Sequence, residues 1–496
     1  MHQGIQTESQ FRGSPLLGGL RLSRRQKERI HQSALAVLQK VGLKVACAEA
    51  VELFHGGGAA VDIKSGESLV RLKPSLVEDC IDQTPKDATY YGRIPEHDFK
   101  PRAGKVVFAA FGQCVNILDP ATGGRRASTK NDMAASARLQ DALPHLSTIA
   151  RTLSPGDCLP EAHALHCMDA IIRNSAKHIS GGAADKRSLD MIIQMMETAA
   201  GGKTIFKERP FYSPSFCPTS PLTFGRDGCE VAICAARCGL PTVVMIMPLA
   251  GGTAPVHLMG TLVQGLAEQL GGLVLTQLAR RHSPITLGSA ATIMDLKTGI
   301  GAMGAPESGM INGCLAQMAA FYNLPSRVAC GVSDACLPDA QIGYEFCLNA
   351  FSAALAGAAI VFAGGALESG LTHSPAKLLL DHEMMGHIRQ MVSRAPFDDL
   401  DVALSEISEI GPGNSYLMHP HTMAGMRAQS RGSLFNRNPR ETWLERTTGK
   451  TADQLADKSA LNIIERHHPV PLAPGVEAQI AEMLREFEAR LGAAKR

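Results

Sequence analysis

The chain is 496 residues long, 45% hydrophobic and 19% charged, which excludes a disordered solvating chain and suits two or three domains or one large α/β domain with additions. Lys and Arg number 49 against 47 Asp and Glu, and the net charge of +2 is too weak a field to gather nucleic acid or an anionic membrane. The 13 cysteines contain no CxxC pair and the N-terminus is polar, so reduced thiols and a cytoplasmic setting are expected.

Residues 1–105 read as an N-terminal helical extension, with an amphipathic helix at 23–41 that places Ile30, Ala34, Val37, Leu38 and Val41 on one face. From 106 onward, short apolar or β-branched runs alternate with segments of helical periodicity. The spacing predicts strands at 106–110, 146–152, 178–182, 210–216, 242–247, 284–289, 327–332 and 358–363. Helices are expected at 132–142, 160–173, 186–198, 227–238, 255–279, 305–322, 339–356 and 375–391. Eight such units suit an α/β fold of the (β/α)8 TIM-barrel type over 106–395. A doubly wound open sheet is the alternative, but no GxGxxG follows the first strand. Two uncharged stretches, 238–267 and 346–367, are broken by Pro241, Pro248, Pro255 and Gly357, as buried βα units are and membrane spans are not. Residues 396–496 turn polar and read as a C-terminal helical and irregular domain with a final helix at 476–491.

A barrel of this kind carries its chemistry where strands end. Those positions hold Gln113, Ser154, Ser180, Ser213, Ser215, Met247, Ser289, Ser333, Asp334, Glu368 and His373, a set that is mostly small, neutral and hydroxylated. It offers no strand-end lysine for a Schiff base, apart from Lys177 just before a strand, and no carboxylate pair at hydrolase spacing. The group Asp157, Cys158, His163, His166 and Cys167 resembles a ligand cluster without a nucleating CxxC or HExxH, and His419 and His421 lack a third ligand, so no metal is assigned. The most polar stretch in the apolar middle, CGVSDACLPDAQIGYE (330–345), brings Ser333, Asp334, Asp339, Gln341 and Glu345 near the barrel mouth. Asp339 after Pro338 also reads as a helix cap.

Several long blocks occur in order: NSAKH (174–178), SPL (220–222), MPLAGGTAPVHLMGTLVQGLAEQLGGLVLTQL (247–278), the 333–345 segment, LLLDHEM (378–384) and YLMHPHT (416–422). In them the chain resembles the trimethylamine methyltransferase superfamily, corrinoid-dependent methyltransferases built on a TIM barrel. The resemblance covers nearly the whole length. Trimethylamine-specific members carry pyrrolysine in a barrel loop, placed loosely near 330–336, and none is present here. The resemblance is therefore to the branch without pyrrolysine, which implies demethylation of a quaternary amine such as glycine betaine or a related betaine.

That implication has a chemical rationale. A quaternary ammonium that gives up a methyl group leaves as a neutral tertiary amine, whereas trimethylamine would have to leave as an amide anion. The corrinoid is expected from a separate protein docking at the barrel mouth, since no DxHxxG stretch is present. A permanent cation calls for aromatic faces and carboxylates. Candidate walls are Phe108, Phe111, Tyr212 and Phe216, with Tyr90 and Tyr91 able to fold over the mouth. Catalytic candidates are Asp334, Glu368 and His373, and Gln113, Ser215, Ser333 and Gln341 complete the substrate-binding set. A quaternary-amine sensor without catalysis, and a zinc-dependent corrinoid methyltransferase, stand as alternatives. A homo-oligomer is compatible with the sequence.

Overall fold

The computed structural model describes residues 21–64, 67–393, 403–426, 429–430 and 432–494. Its centre is a closed parallel barrel. The strands are β1 (Val107–Ala110), β2 (Leu146–Ala150), β3 (His178–Ser180), β4 (Tyr212–Ser213 and Ser215–Phe216), β5 (Thr242–Ile246), β6 (Ile285–Ser289), β7 (Ser326–Val328) and β8 (Ile360–Gly364). Pro214 divides β4, because proline has no N–H for the ladder. The first half pairs with β3 and the second with β5, where the Val243 amide donates to the Pro214 carbonyl at 3.0 Å. β8 pairs with β1, so the sheet closes on itself.

Each strand is followed by its helix: α1 (Lys130–Ala142), α2 (His163–Asn174), α3 (Lys186–Ala200), α4 (Arg226–Cys238), α5 (Leu258–Ala279), α6 (Pro306–Phe321), α7 (Ala340–Leu355) and α8 (Pro375–Val392). The chain marks these starts plainly. Thr129 and Asp132 form a capping box on α1, Asp185 caps α3, and Ser374 caps α8 ahead of Pro375.

The N-terminal part is mixed α/β rather than helical. Helices Arg24–Lys40, Ala48–Gly56 and Pro74–Gln83 flank strands Leu43–Val45, Ala60–Lys64 and Glu67–Arg71. The sheet takes its fourth strand, Thr223–Phe224, from the chain between β4 and α4, in parallel with Leu43–Val45. This unit packs on α5, which is long and apolar enough to cross a membrane but lies mostly buried between the barrel and the N-terminal unit. The pair Gly271 and Gly272 permits the close approach. A Cβ on Gly271 would lie 2.6 Å from Leu43, and one on Gly272 2.5 Å from Val244 of β5.

The C-terminal helices Ala452–Arg466 and Val476–Ala494 cover another part of the barrel wall, the first on α8 and α1 and the second on α3 and α2. The strand expected over 327–332 is shorter than its apolar run. The strand ends at Val328 and the chain leaves the sheet at Gly331, which holds a φ of 110°.

Candidate functional site at the barrel mouth

Register decides which side chains face inward. Paired residues share a face, so Ala109 and Thr148, His178, Ser180 and Ser213, Ser215 and Val243, Met245 and Gly288, and Arg327 and Ile360 line the interior with Phe362. The opposite parity faces the helices. Phe216 meets Phe224 and lies against Gly228 of α4 and Gly272 of α5, and Tyr212 and Phe108 share that outward face. Phe108, Tyr212 and Phe216 are therefore strand–helix packing residues and not walls of the mouth. Tyr90 closes the opposite end of the barrel. Its hydroxyl pairs with Thr286 Oγ1 at 2.6 Å and its ring lies 4.5 Å from that of His178.

Of the aromatic candidates only Phe111 reaches the mouth, stacked on Phe362 at 5.7 Å between centroids with 2° between planes. The Arg327 guanidinium also lies over Phe362, 4.7 Å from the ring centre. Thr148, Ser180, Ser213 and Ser215 give the interior its hydroxyl groups, and Phe111, Ser215 and Met245 remain partly exposed toward the mouth. Gln113 sits at the lip with a left-handed φ of 73°, its amide nitrogen turned toward Gly182.

The acids at the mouth are engaged in holding loops. Asp334 accepts from the Gly304 amide at 3.0 Å and the Ser369 hydroxyl at 2.7 Å, which joins the loops after β6, β7 and β8. Burial raises its carboxyl above the ordinary value. Glu345, from α7, accepts from the Ser333 hydroxyl at 2.5 Å, the Asp334 amide at 2.9 Å and Gln341 Nε2 at 2.7 Å. Ser333 and Gln341 thus belong to the loop's internal network. Glu368 pairs with Arg125 at 3.0 Å, and it and Ser369 both hold left-handed backbone, φ 51° and 54°, a local strain at the rim.

His373 is fully buried, with Nε2 3.2 Å from Ser136 Oγ and no partner on Nδ1, and burial pulls it down to about 4. Beside it the buried pair Lys377 and Asp381, 2.7 Å apart, holds the Gly331 carbonyl and the Gly365 amide. The residues that suggested a metal make other bonds. His166 spans Lys130 and Glu488, and His419 meets Glu409 at 3.4 Å. Among the described residues no group of three or more His, Cys, Asp or Glu is set to hold a metal ion.

Two features escaped the sequence reading. Arg327 lies inside the barrel, and its signal was a lone charge opening an otherwise apolar strand segment. The second is the rim, where six of the eight βα loops raise exposed aliphatic side chains, among them Val115, Leu159, Met247, Leu296, Leu337 and Leu371. All six lie on βα loops, the end of the barrel where the strands finish.

The family model for trimethylamine methyltransferase (MTTB) matches residues 19–493. The chain belongs to the trimethylamine methyltransferase family. It is a methyltransferase by that membership, 38% identical over 466 residues to the trimethylamine methyltransferase MttB of Desulfitobacterium hafniense strain DSM 10664 / DCB-2, with 94% of this chain and 93% of the relative covered. It is 26% identical over 474 residues to the glycine betaine methyltransferase of Desulfitobacterium hafniense strain Y51, covering 95% of this chain and 98% of the relative. The fold is shared with the monomethylamine methyltransferase of Methanosarcina barkeri, at a TM-score of 0.55 and 12% identity over 93% of this chain and 92% of that one. The TIM barrel read from the sequence is thus the fold observed here and shared with that structure.

Proposed function

We propose that this member of the trimethylamine methyltransferase family moves a methyl group from a quaternary amine, glycine betaine or a related betaine, to the Co(I) of a separate corrinoid protein. The observation that carries the reading is the shape of the mouth: an open, hydroxylated interior framed by an apolar rim. A corrinoid supplies the nucleophile. The chain's own residues have the remaining tasks, which are to hold the amine with one methyl upward and to keep the approach dry.

Phe111 gives the cation its aromatic face, and Gln113 and Ser215 give polar contacts at the lip. Asp334, Glu345 and Glu368 keep the loops after β6, β7 and β8 in place, so Asp334 and Glu368 serve as positioning residues. His373, neutral at working pH, ties the loop after β8 to α1 through Ser136. The rim aliphatics form the seat of the corrinoid protein, whose docking covers the opening. No side chain has to activate the leaving group, in keeping with a mouth without pyrrolysine.

The test is incubation of the purified chain with reduced cobalamin and a panel of N-methylated amines, with methylated cobalamin read by absorbance. Transfer from one or more quaternary amines and little from trimethylamine is expected. Binding of a quaternary amine without any methyl transfer, even with a cognate corrinoid protein, would favour a sensor instead.

A further inference from the structure

Arg327 is a cation enclosed by neutral groups. Its Nη1 donates to the Ser180 hydroxyl across the barrel, its plane lies on Phe362, and its Nε has no partner. Among the described residues no carboxylate lies within 4.0 Å of the guanidinium. The nearby phenol of Tyr90 is held protonated by burial, and the mouth acids Asp334, Glu345 and Glu368 are committed to other donors. Thr148, also facing inward, leaves its Oγ1 without a partner. A buried charge without a counter-ion is costly, and proteins keep one where a ligand completes it. Arg327 is 5% exposed and Phe362 7%, and with Tyr90 bonded to Thr286 at the opposite end of the barrel a ligand comes to the charge from the mouth side.

We propose that Arg327 is the specificity-determining residue that receives a carboxylate of the substrate, which then binds acid-inward with its methylated ammonium at the mouth. This rests on the methyl-transfer reading above for the identity of the other end of the substrate. Guanidinium and carboxylate are matched in charge and in planar hydrogen-bond geometry, and Ser180 is placed to share the load. The orientation follows from the depths. Arg327 leaves the sheet level with Ile360 and Val107, and its guanidinium reaches 4.7 Å from the centre of Phe362, whose ring lies 5.7 Å from that of Phe111 at the mouth. A compact zwitterion anchored on Arg327 turns its methyl groups toward the rim, where the corrinoid arrives. Cations without an acid leave the guanidinium unpaired.

Calorimetric titration of the full chain, without corrinoid, with three acid-bearing probes (glycine betaine, proline betaine and carnitine) and two neutral-tailed cations (choline and tetramethylammonium) tests this. At least one acid-bearing probe should bind tenfold or more tightly than both cations. Arg327→Gln should abolish that preference while leaving the weak cations unchanged, and Arg327→Lys should restore part of it. If the wild type binds no acid-bearing probe better than choline, or if Arg327→Gln keeps the preference, the proposal is overturned. Should Arg327→Gln fail to fold, the wild-type preference and the Lys variant still decide. The two readings fail separately: Arg327-dependent binding without methyl transfer removes the enzyme reading alone, whereas methyl transfer equally fast from choline removes this one alone.

Discussion

Asp334 carries the most direct test of how the mouth is held together. Its two oxygens accept from Gly304 and Ser369, so Asp334→Ala strips partners from an amide and a hydroxyl in two other loops at once. An orphaned group costs about 1 to 3 kcal/mol when fully buried, and with Asp334 only half-buried the combined loss should be about 2 kcal/mol. For a chain of 496 residues that is a melting shift on the order of 2 °C. Methyl transfer should fall at least tenfold, about 1.4 kcal/mol, because the loops that seat the partner lose their tie. Asp334→Asn keeps the shape, accepting from Gly304 and donating to Ser369, and should lose less than about 1 kcal/mol. The pH dependence has a defined sign. Burial raises the Asp334 carboxyl, so ionising it costs stability, a cost absent below the ordinary value of about 3.9 and complete above the folded value. The Asn variant has no such cost, so its deficit against wild type should shrink as pH rises from about 4 to 7. Melts across that range and cobalamin methylation are the assays. An Asp334→Ala protein that melts and transfers methyl like wild type would refute the loop-tie argument.

The other expectations follow from contacts already described. Gly272→Ala should lower stability by about 1 to 3 kcal/mol in a urea melt despite alanine's better helix propensity, because its Cβ would lie 2.5 Å from Val244. Tyr90→Phe leaves Thr286 Oγ1 without its partner in the barrel floor and should cost about 1 to 3 kcal/mol in the same assay, with cation binding at the mouth unchanged. His178 and His373 are pulled by burial down to about 3 and about 4, so both fold neutral. Stability should fall as pH drops through about 6.5, and His373→Gln should remove one proton's worth of that slope in melts between pH 7 and 5. Leu296→Glu combined with Leu371→Glu should weaken the rate with a corrinoid protein tenfold or more while leaving substrate binding by calorimetry intact.

The alternation of strands and helices was legible because each barrel strand is a short apolar run between turn residues and each helix has its own cap. Helices α3 and α8 were placed to within two residues at each end. Inward and outward faces were not legible. Both faces of a barrel strand are covered, so Phe108 and Phe111, or Tyr212 and Ser213, show no contrast that separates wall from packing. The apolar pattern runs past the end of β7 at Val328 because 329–332 is as apolar as a strand, and the left-handed turn at Gly331 leaves no mark in hydropathy. Asp334 was found as a residue of the mouth, but its partners at 304 and 369 come from neighbouring βα units, and local spacing cannot reveal them. The N-terminal sheet was missed because Leu43–Val45 is three residues long and its parallel neighbour lies far down the chain.

That borrowed strand bears on the order in which the protein comes into being. Leu43–Val45 lies between Glu67–Arg71 on one side and Thr223–Phe224 on the other, with the Lys44 amide bonded to the Leu222 carbonyl and the Ala46 amide to that of Phe224. A nascent chain emerges from its amino end, so the first unit waits with one edge open until the middle of the barrel has been made. The roughly 180 residues between the two strands take on the order of 10 to 35 s to add at about 5 to 20 residues per second. During that interval the edge is a template for any extended neighbour. The first unit's completion therefore reports that synthesis has passed β4, and on the ribosome the N-terminal and barrel cores mature together rather than in turn.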